Sequence, residues 1–128
     1  MITHDTLLLT CGTQESRRLL RGNLEENYHL LEAATCRQAL LLLEQNAECI
    51  AAVVIDITSP QNVDLELLRG ETGKTHLAHI PVIVITQSDD PAILDEAFTL
   101  GASDVIPLHY DPYAMLRRIE TIVQLSLH

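Results

Sequence analysis

The sequence predicts an α/β fold, a doubly wound parallel sheet of five strands with helices on both faces. Three observations carry this. Leu7-Leu8-Leu9, Ile50 to Ile55 and Val82 to Ile85 are short aliphatic or β-branched blocks without alternation, as strands buried on both faces are. Each is followed by a turn signal and then by a stretch with helical spacing, so the order strand, loop, helix recurs. The 128 residues suit one domain, and 47% hydrophobic residues are ample for its core.

The elements follow in order. After the first block, Gln14 to Asn27 has helical spacing, and Tyr28 to Ala33 reads as an edge strand. Thr35-x-x-Gln38 has the form of a capping box, and Leu40, Leu41, Leu43 and Ala47 give the helix over Thr35 to Gln45 an apolar side. The block Ile50 to Ile55 ends at Asp56, the chain turns through Ser59-Pro60, and Val63 to Arg69 makes a short third helix ended by Gly70 and Gly73. Beyond the Val82 block, Asp90-Pro91 sets a capping oxygen before a proline at the first helical position, opening Pro91 to Leu100, which Gly101 closes. Val105-Ile106 is the last strand. Asp111-Pro112 repeats the Asp-Pro start, and Leu116, Ile119, Ile122 and Val123 form the inner stripe of the last helix. Five strands alternating with five helices demand right-handed crossovers over both faces of one sheet.

Composition narrows the function. A net charge of −10 opposes any polyanion, which argues against direct binding to nucleic acid or an anionic membrane. Only Phe98, Tyr28, Tyr110 and Tyr113 are aromatic, leaving few platforms for flat cofactors or bases. Arg17-Arg18-Arg21 and Arg117-Arg118 read as solvated helix faces. Cys11, Cys36 and Cys49 are odd in number and lack C-x-x-C spacing, which suits reduced thiols and a cytoplasmic location. No apolar run approaches the ~18 residues of a membrane span. His76 and His79 lie three apart with no third ligand near them, so no metal site is expected there.

In an open parallel sheet, function collects beyond the carboxyl ends of the strands. That points to Thr10-Cys11-Gly12, Asp56-Ile57-Thr58, Thr86-Gln87 and Pro107-Leu108-His109. Three of the surrounding segments, Ala52-Val53-Val54-Ile55-Asp56-Ile57-Thr58-Ser59-Pro60, Ile80-Pro81-Val82-Ile83-Val84-Ile85-Thr86 and Gly101-Ala102-Ser103-Asp104-Val105, together resemble a response-regulator receiver domain of the CheY-like kind. The resemblance spans essentially the whole chain, residues 1–128. It implies a flavodoxin-like sheet in the order 2-1-3-4-5, with Asp56 at the phosphoacceptor position of a two-component phosphorelay and Thr86 at the phosphoryl-sensing hydroxyl position. It also implies a histidine kinase or other signalling protein as partner, and homodimer or partner contacts through the last strand and last two helices, where Tyr110 and Tyr113 offer amphipathic area.

The departures bear on the chemistry. Receivers end the first strand in a pair of acids that hold Mg²⁺, and Cys11 and Gly12 stand here instead. Leu108 and His109 occupy the positions of the family's Lys and cis Pro, and Val105 that of its aromatic switch. Asp56 with the backbone carbonyl of Thr58 is a poor Mg²⁺ cage, so no cofactor is expected and phosphorylation is expected to be slow or absent. The domain is expected to be no enzyme and to act by protein contact.

Plainer roles stand beside these. Asp56 can cap its turn, Thr86 can be an ordinary strand residue, and Asp89 and Asp90 can serve the next helix start. A rival reading is a low-molecular-weight cysteine phosphatase: Cys11 to Arg17 is C-x₅-R, with Cys11 as nucleophile, Arg17 holding phosphate and Asp111 as general acid. A flavin carrier is the third, without aromatic walls to support it. Helical spacing continues through Leu125-Ser126-Leu127-His128 with no stop signal, so the chain is expected to be the N-terminal module of a longer protein with an output domain downstream.

Overall fold

The structure is a computed structural model that describes residues 5–11, 13–57, 80–99 and 101–126. Within them the chain runs β1 (Thr6–Cys11), α1 (Gln14–Leu24), β2 (His29–Ala33), α2 (Cys36–Asn46), β3 (Ile50–Asp56), β4 (Val82–Thr86), α3 (Pro91–Thr99), β5 (Asp104–Pro107) and α4 (Pro112–Ser126). The five strands form one parallel sheet in the order β2-β1-β3-β4-β5, as expected. The helix expected over Val63 to Arg69 lies outside the described residues, as do Gly12 and Thr58.

Helices pack on both faces of the sheet. On one, Leu8, Val53, Ile55 and Val84 pack under Ala39 and Leu43 of α2 and Ala97 of α3. On the other, Leu7, Leu9, Val54, Ile83 and Ile85 pack under Leu20 and Leu24 of α1 and Met115, Ile119 and Val123 of α4. This explains the unbroken apolar blocks: every residue of β3 is buried, so alternation has no solvent side to report. A register shift between Thr6 and Leu7 leaves Ala51 unmatched, and from Leu7 to Cys11 the ladder against β3 then runs in step to Asp56.

Local chemistry sets the helix ends. Thr13 and Ser16 form a reciprocal capping box at α1, in which the Ser16 N–H donates to Thr13 Oγ1 (3.0 Å) and the Thr13 N–H to Ser16 Oγ (2.9 Å). At α2 the expected box is altered. The Gln38 N–H donates to Thr35 Oγ1 (3.1 Å), but the Gln38 side chain accepts from Ala34 N–H (2.9 Å), one residue before the cap. Asp90 caps α3 through the Ala92 N–H (3.0 Å), and Asp111 caps α4 through the Ala114 N–H (2.9 Å). After α3, Gly101 at φ 110° takes the left-handed position of a Schellman turn, with Ala102 N–H donating to Ala97 O and Gly101 N–H to Phe98 O (both 3.0 Å).

The arginines are less solvated than their spacing suggests. Arg21 reaches Glu32 on the edge strand through both Nε and Nη2. Arg118 binds both carboxylate oxygens of Asp104, donates to Val105 O (3.3 Å) and lies 5.2 Å from the centre of the Tyr110 ring, which ties α4 to β5. The Asp104 hydrogen bond is the main cause that lifts the Arg118 guanidinium above its ordinary pKa.

Candidate functional site at the carboxyl edge of the sheet

Asp56 is the last residue of β3 and only 1% exposed. Its strand neighbours are Cys11 at the end of β1 and Ile85 in β4. By strand alternation it belongs to the row of Ala52 and Val54, on the α1/α4 face. The ladder continues one residue beyond it, with Ile57 N–H donating to Ile85 O at 2.8 Å, so its backbone is held on both sides.

Thr86 ends the next strand, 3% exposed, and its carbonyl accepts from the Leu108 N–H (2.9 Å). Its hydroxyl oxygen is already engaged, accepting from Ser88 N–H at 2.9 Å. Ser88 Oγ in turn accepts from Asp90 N–H (3.1 Å), and Asp90 caps α3. A run of side-chain-to-backbone turns thus links Thr86 to the start of α3. Sequence reading assigned Asp90 to the cap and missed Ser88, although the Thr-x-Ser-x-Asp spacing of two was there to find.

The positions that depart from the receiver pattern have their own packing. Leu108, 3% exposed, belongs to the core under α1 and α4 with Met115 and Ile119. It offers no charge to the site, and its surroundings suit an aliphatic side chain. Val105 is buried in the core on the opposite face. His109 is exposed, and all peptide bonds among the described residues are trans. The described residues contain no group of three or more His, Cys, Asp or Glu arranged to hold a metal ion.

The phosphatase constellation is not assembled. Arg17 lines a cleft with Gln14, Arg18, Arg21 and Glu32, on the side of α1 toward the edge strand. Asp111 is committed to capping α4, where its carboxylate accepts the Ala114 N–H. No described helix is long and apolar enough to cross a membrane.

No family model matches the chain. Among curated proteins it is similar to the histidine kinase P4 of Formosa agariphila, with 25% identity over 93% of this chain and 8% of that protein. It is also similar to the transcriptional regulatory protein GltR of Pseudomonas aeruginosa, with 28% identity over 93% of this chain and 49% of the regulator. The chain thus spans half or less of these relatives' own lengths. Among solved structures, a response-regulator receiver domain protein from Clostridium thermocellum superposes with a TM-score of 0.80 at 19% identity, over 95% of this chain and 96% of the other. Strand order and this superposition give the chain the flavodoxin-like fold of CheY-like receiver domains, and the curated likenesses make it similar in sequence to response regulators.

Proposed function

We propose that this receiver-type module of two-component signalling takes up phosphate on Asp56 poorly or not at all and transmits its signal by protein contact. The observation that carries the reading is the packing around the acceptor. Cys11 stands beside Asp56 on the neighbouring strand, and Leu108 is buried in the core where the family pattern has Lys.

Physics gives this weight. Phosphoryl transfer depends on positioning and charge neutralisation, because an attacking carboxylate repels an anionic donor unless a cation bridges them. A Mg²⁺ ion in such a site is held by one or two carboxylates with phosphate oxygens and water. One preorganised electrostatic donor is typically worth about 10²–10³ in rate, and here both the acid pair and the fixed cation of the receiver pattern are replaced. The domain itself is read as non-catalytic and free of a resident cofactor, with Mg²⁺ binding weak.

Contact surfaces support the second half of the reading. Phe98 on α3, Tyr110 after β5 and Tyr113 on α4 are exposed, and the Arg118–Asp104 pair ties α4 to β5 beside them. A histidine kinase, another signalling protein, an output domain in a longer chain or a second copy would meet β5 with α3 and α4. The reduced-thiol composition suits the cytoplasm. Incubation with acetyl phosphate and Mg²⁺, followed by intact-protein mass spectrometry, tests the proposal. Little or no phosphoprotein is expected; a stoichiometric product abolished by Asp56→Asn overturns it.

A further inference from the structure

A pocket of about 240 Å³ lies between the start of α1 and the loops after β4 and β5. Leu19 and Leu108 supply apolar wall, and Glu15, Gln87 and His109 supply polar rim. Thr13 and Ser16 also line it, but their hydroxyls are engaged with each other in the capping box and with the Thr13 carbonyl. Among the described residues no Lys or Arg lines it. Glu15 sits in the first turn of α1, where its charge offsets the positive end of the helix, and among the described residues it has no ion pair or hydrogen bond. These groups disfavour an anion and leave acceptors over an aliphatic floor.

We propose that this pocket takes the side chain of a lysine presented by a partner protein. A lysine matches both halves of the lining: its methylene stem lies along Leu19 and Leu108 while its ammonium donates to the Glu15 carboxylate and the Gln87 carbonyl. The net charge of −10 draws a basic partner toward the domain at long range. The inference rests on the reading that the domain works by contact, and it supplies a chemical feature of the partner.

The test is an amide NMR titration of the full chain with acetyl-Ala-Ala-Lys-Ala-Ala-amide, beside the same peptide carrying norleucine and beside putrescine. Saturable shifts are expected at Thr13 to Leu19, Gln87 and His109. Affinity is expected to fall about three- to fivefold for the norleucine peptide and for Glu15→Gln, the scale of one partly exposed ion pair, and to be unchanged in Glu120→Gln. Equal binding of the norleucine peptide, no effect of Glu15→Gln, tighter binding of putrescine than of the lysine peptide, or no saturable shift at all overturns the proposal. Labelling of Asp56 is read on separate samples without peptide, so failure here is distinguishable from failure of the reading that Asp56 takes up little phosphate.

Discussion

Arg118→Met tests whether the face offered to partners is held in shape by the clamp between α4 and β5. The substitution keeps most of the aliphatic stem and removes the guanidinium. It deletes the paired contacts to Asp104, one of them at 2.9 Å, a longer bond to Val105 O and the packing over Tyr110. A hydrogen bond to a charged group contributes about 1.5–3 kcal/mol net when buried, whereas exposed ion pairs contribute about 0–1 kcal/mol. Here the Arg118 side chain is 35% exposed and that of Asp104 18%, so the pair falls between these limits. Asp104 also keeps its own bond from Val105 N–H (2.8 Å), which limits what the lost partner leaves unsatisfied. The expected destabilisation is about 1–2 kcal/mol, equal to a fall in Tm of roughly 3–8 °C for a chain of this size. Urea unfolding followed by circular dichroism measures it, with an unchanged m-value. Raising salt to 1 M should remove less than half of the difference, because the pair is only partly in solvent. A loss below about 0.3 kcal/mol, or one that vanishes in salt, would show that the clamp is an ordinary surface pair.

Three further outcomes follow from particular residues. Asn23 buries its Nδ2 in α1 without a hydrogen-bond partner among the described residues, so Asn23→Leu should raise stability by about 1 kcal/mol, read from the urea midpoint. Gly101→Ala should cost about 1 kcal/mol or more in the same assay, since φ of 110° is strained for any residue with a Cβ although the space beside it is open. Burial, and secondly the Glu120 carboxylate, push the Tyr28 hydroxyl above its ordinary pKa of 10.0. A group raised in the folded state contributes stability that is complete below its unfolded pKa and is lost as pH climbs through the folded one, so stability should decline above pH 10. Tyr28→Phe should remove that part of the decline in urea midpoints taken between pH 8 and 11.

Much of the fold was legible because a parallel sheet buried on both faces leaves a coarse signature. The Leu7, Ile50 and Val82 blocks could be neither surface strands nor amphipathic helices, and Asp90-Pro91, Asp111-Pro112 and Gly101 marked helix ends that the structure places within a residue or so. The boundaries of α1 were less legible: the spacing ran to Asn27, but the helix ends at Leu24 and Glu25 to Asn27 form a turn, with the Asn27 and Tyr28 N–H groups both donating to the Leu24 carbonyl. Asp56 and Thr86 were expected at strand ends, and they do end β3 and β4. What the sequence could not disclose were pairings between distant elements. Nothing local links Arg118 to Asp104 or Arg21 to Glu32, so both clusters read as solvated faces until the sheet brought their partners alongside. Leu108 likewise was legible as a missing Lys but not as a core residue, since its burial depends on Met115 and Ile119 of α4 packing over it.

The most direct test of the account is to restore the lost acids. Cys11→Asp with Gly12→Asp puts acids at the two positions where the receiver pattern has them, and Mg²⁺ affinity by calorimetry together with acetyl phosphate labelling then compares this variant with the wild type. Weak Mg²⁺ binding and little label in the wild type, with tighter binding and Asp56-dependent label in the double variant, is the predicted result. Equal Mg²⁺ affinity and equal labelling in the two proteins would contradict it.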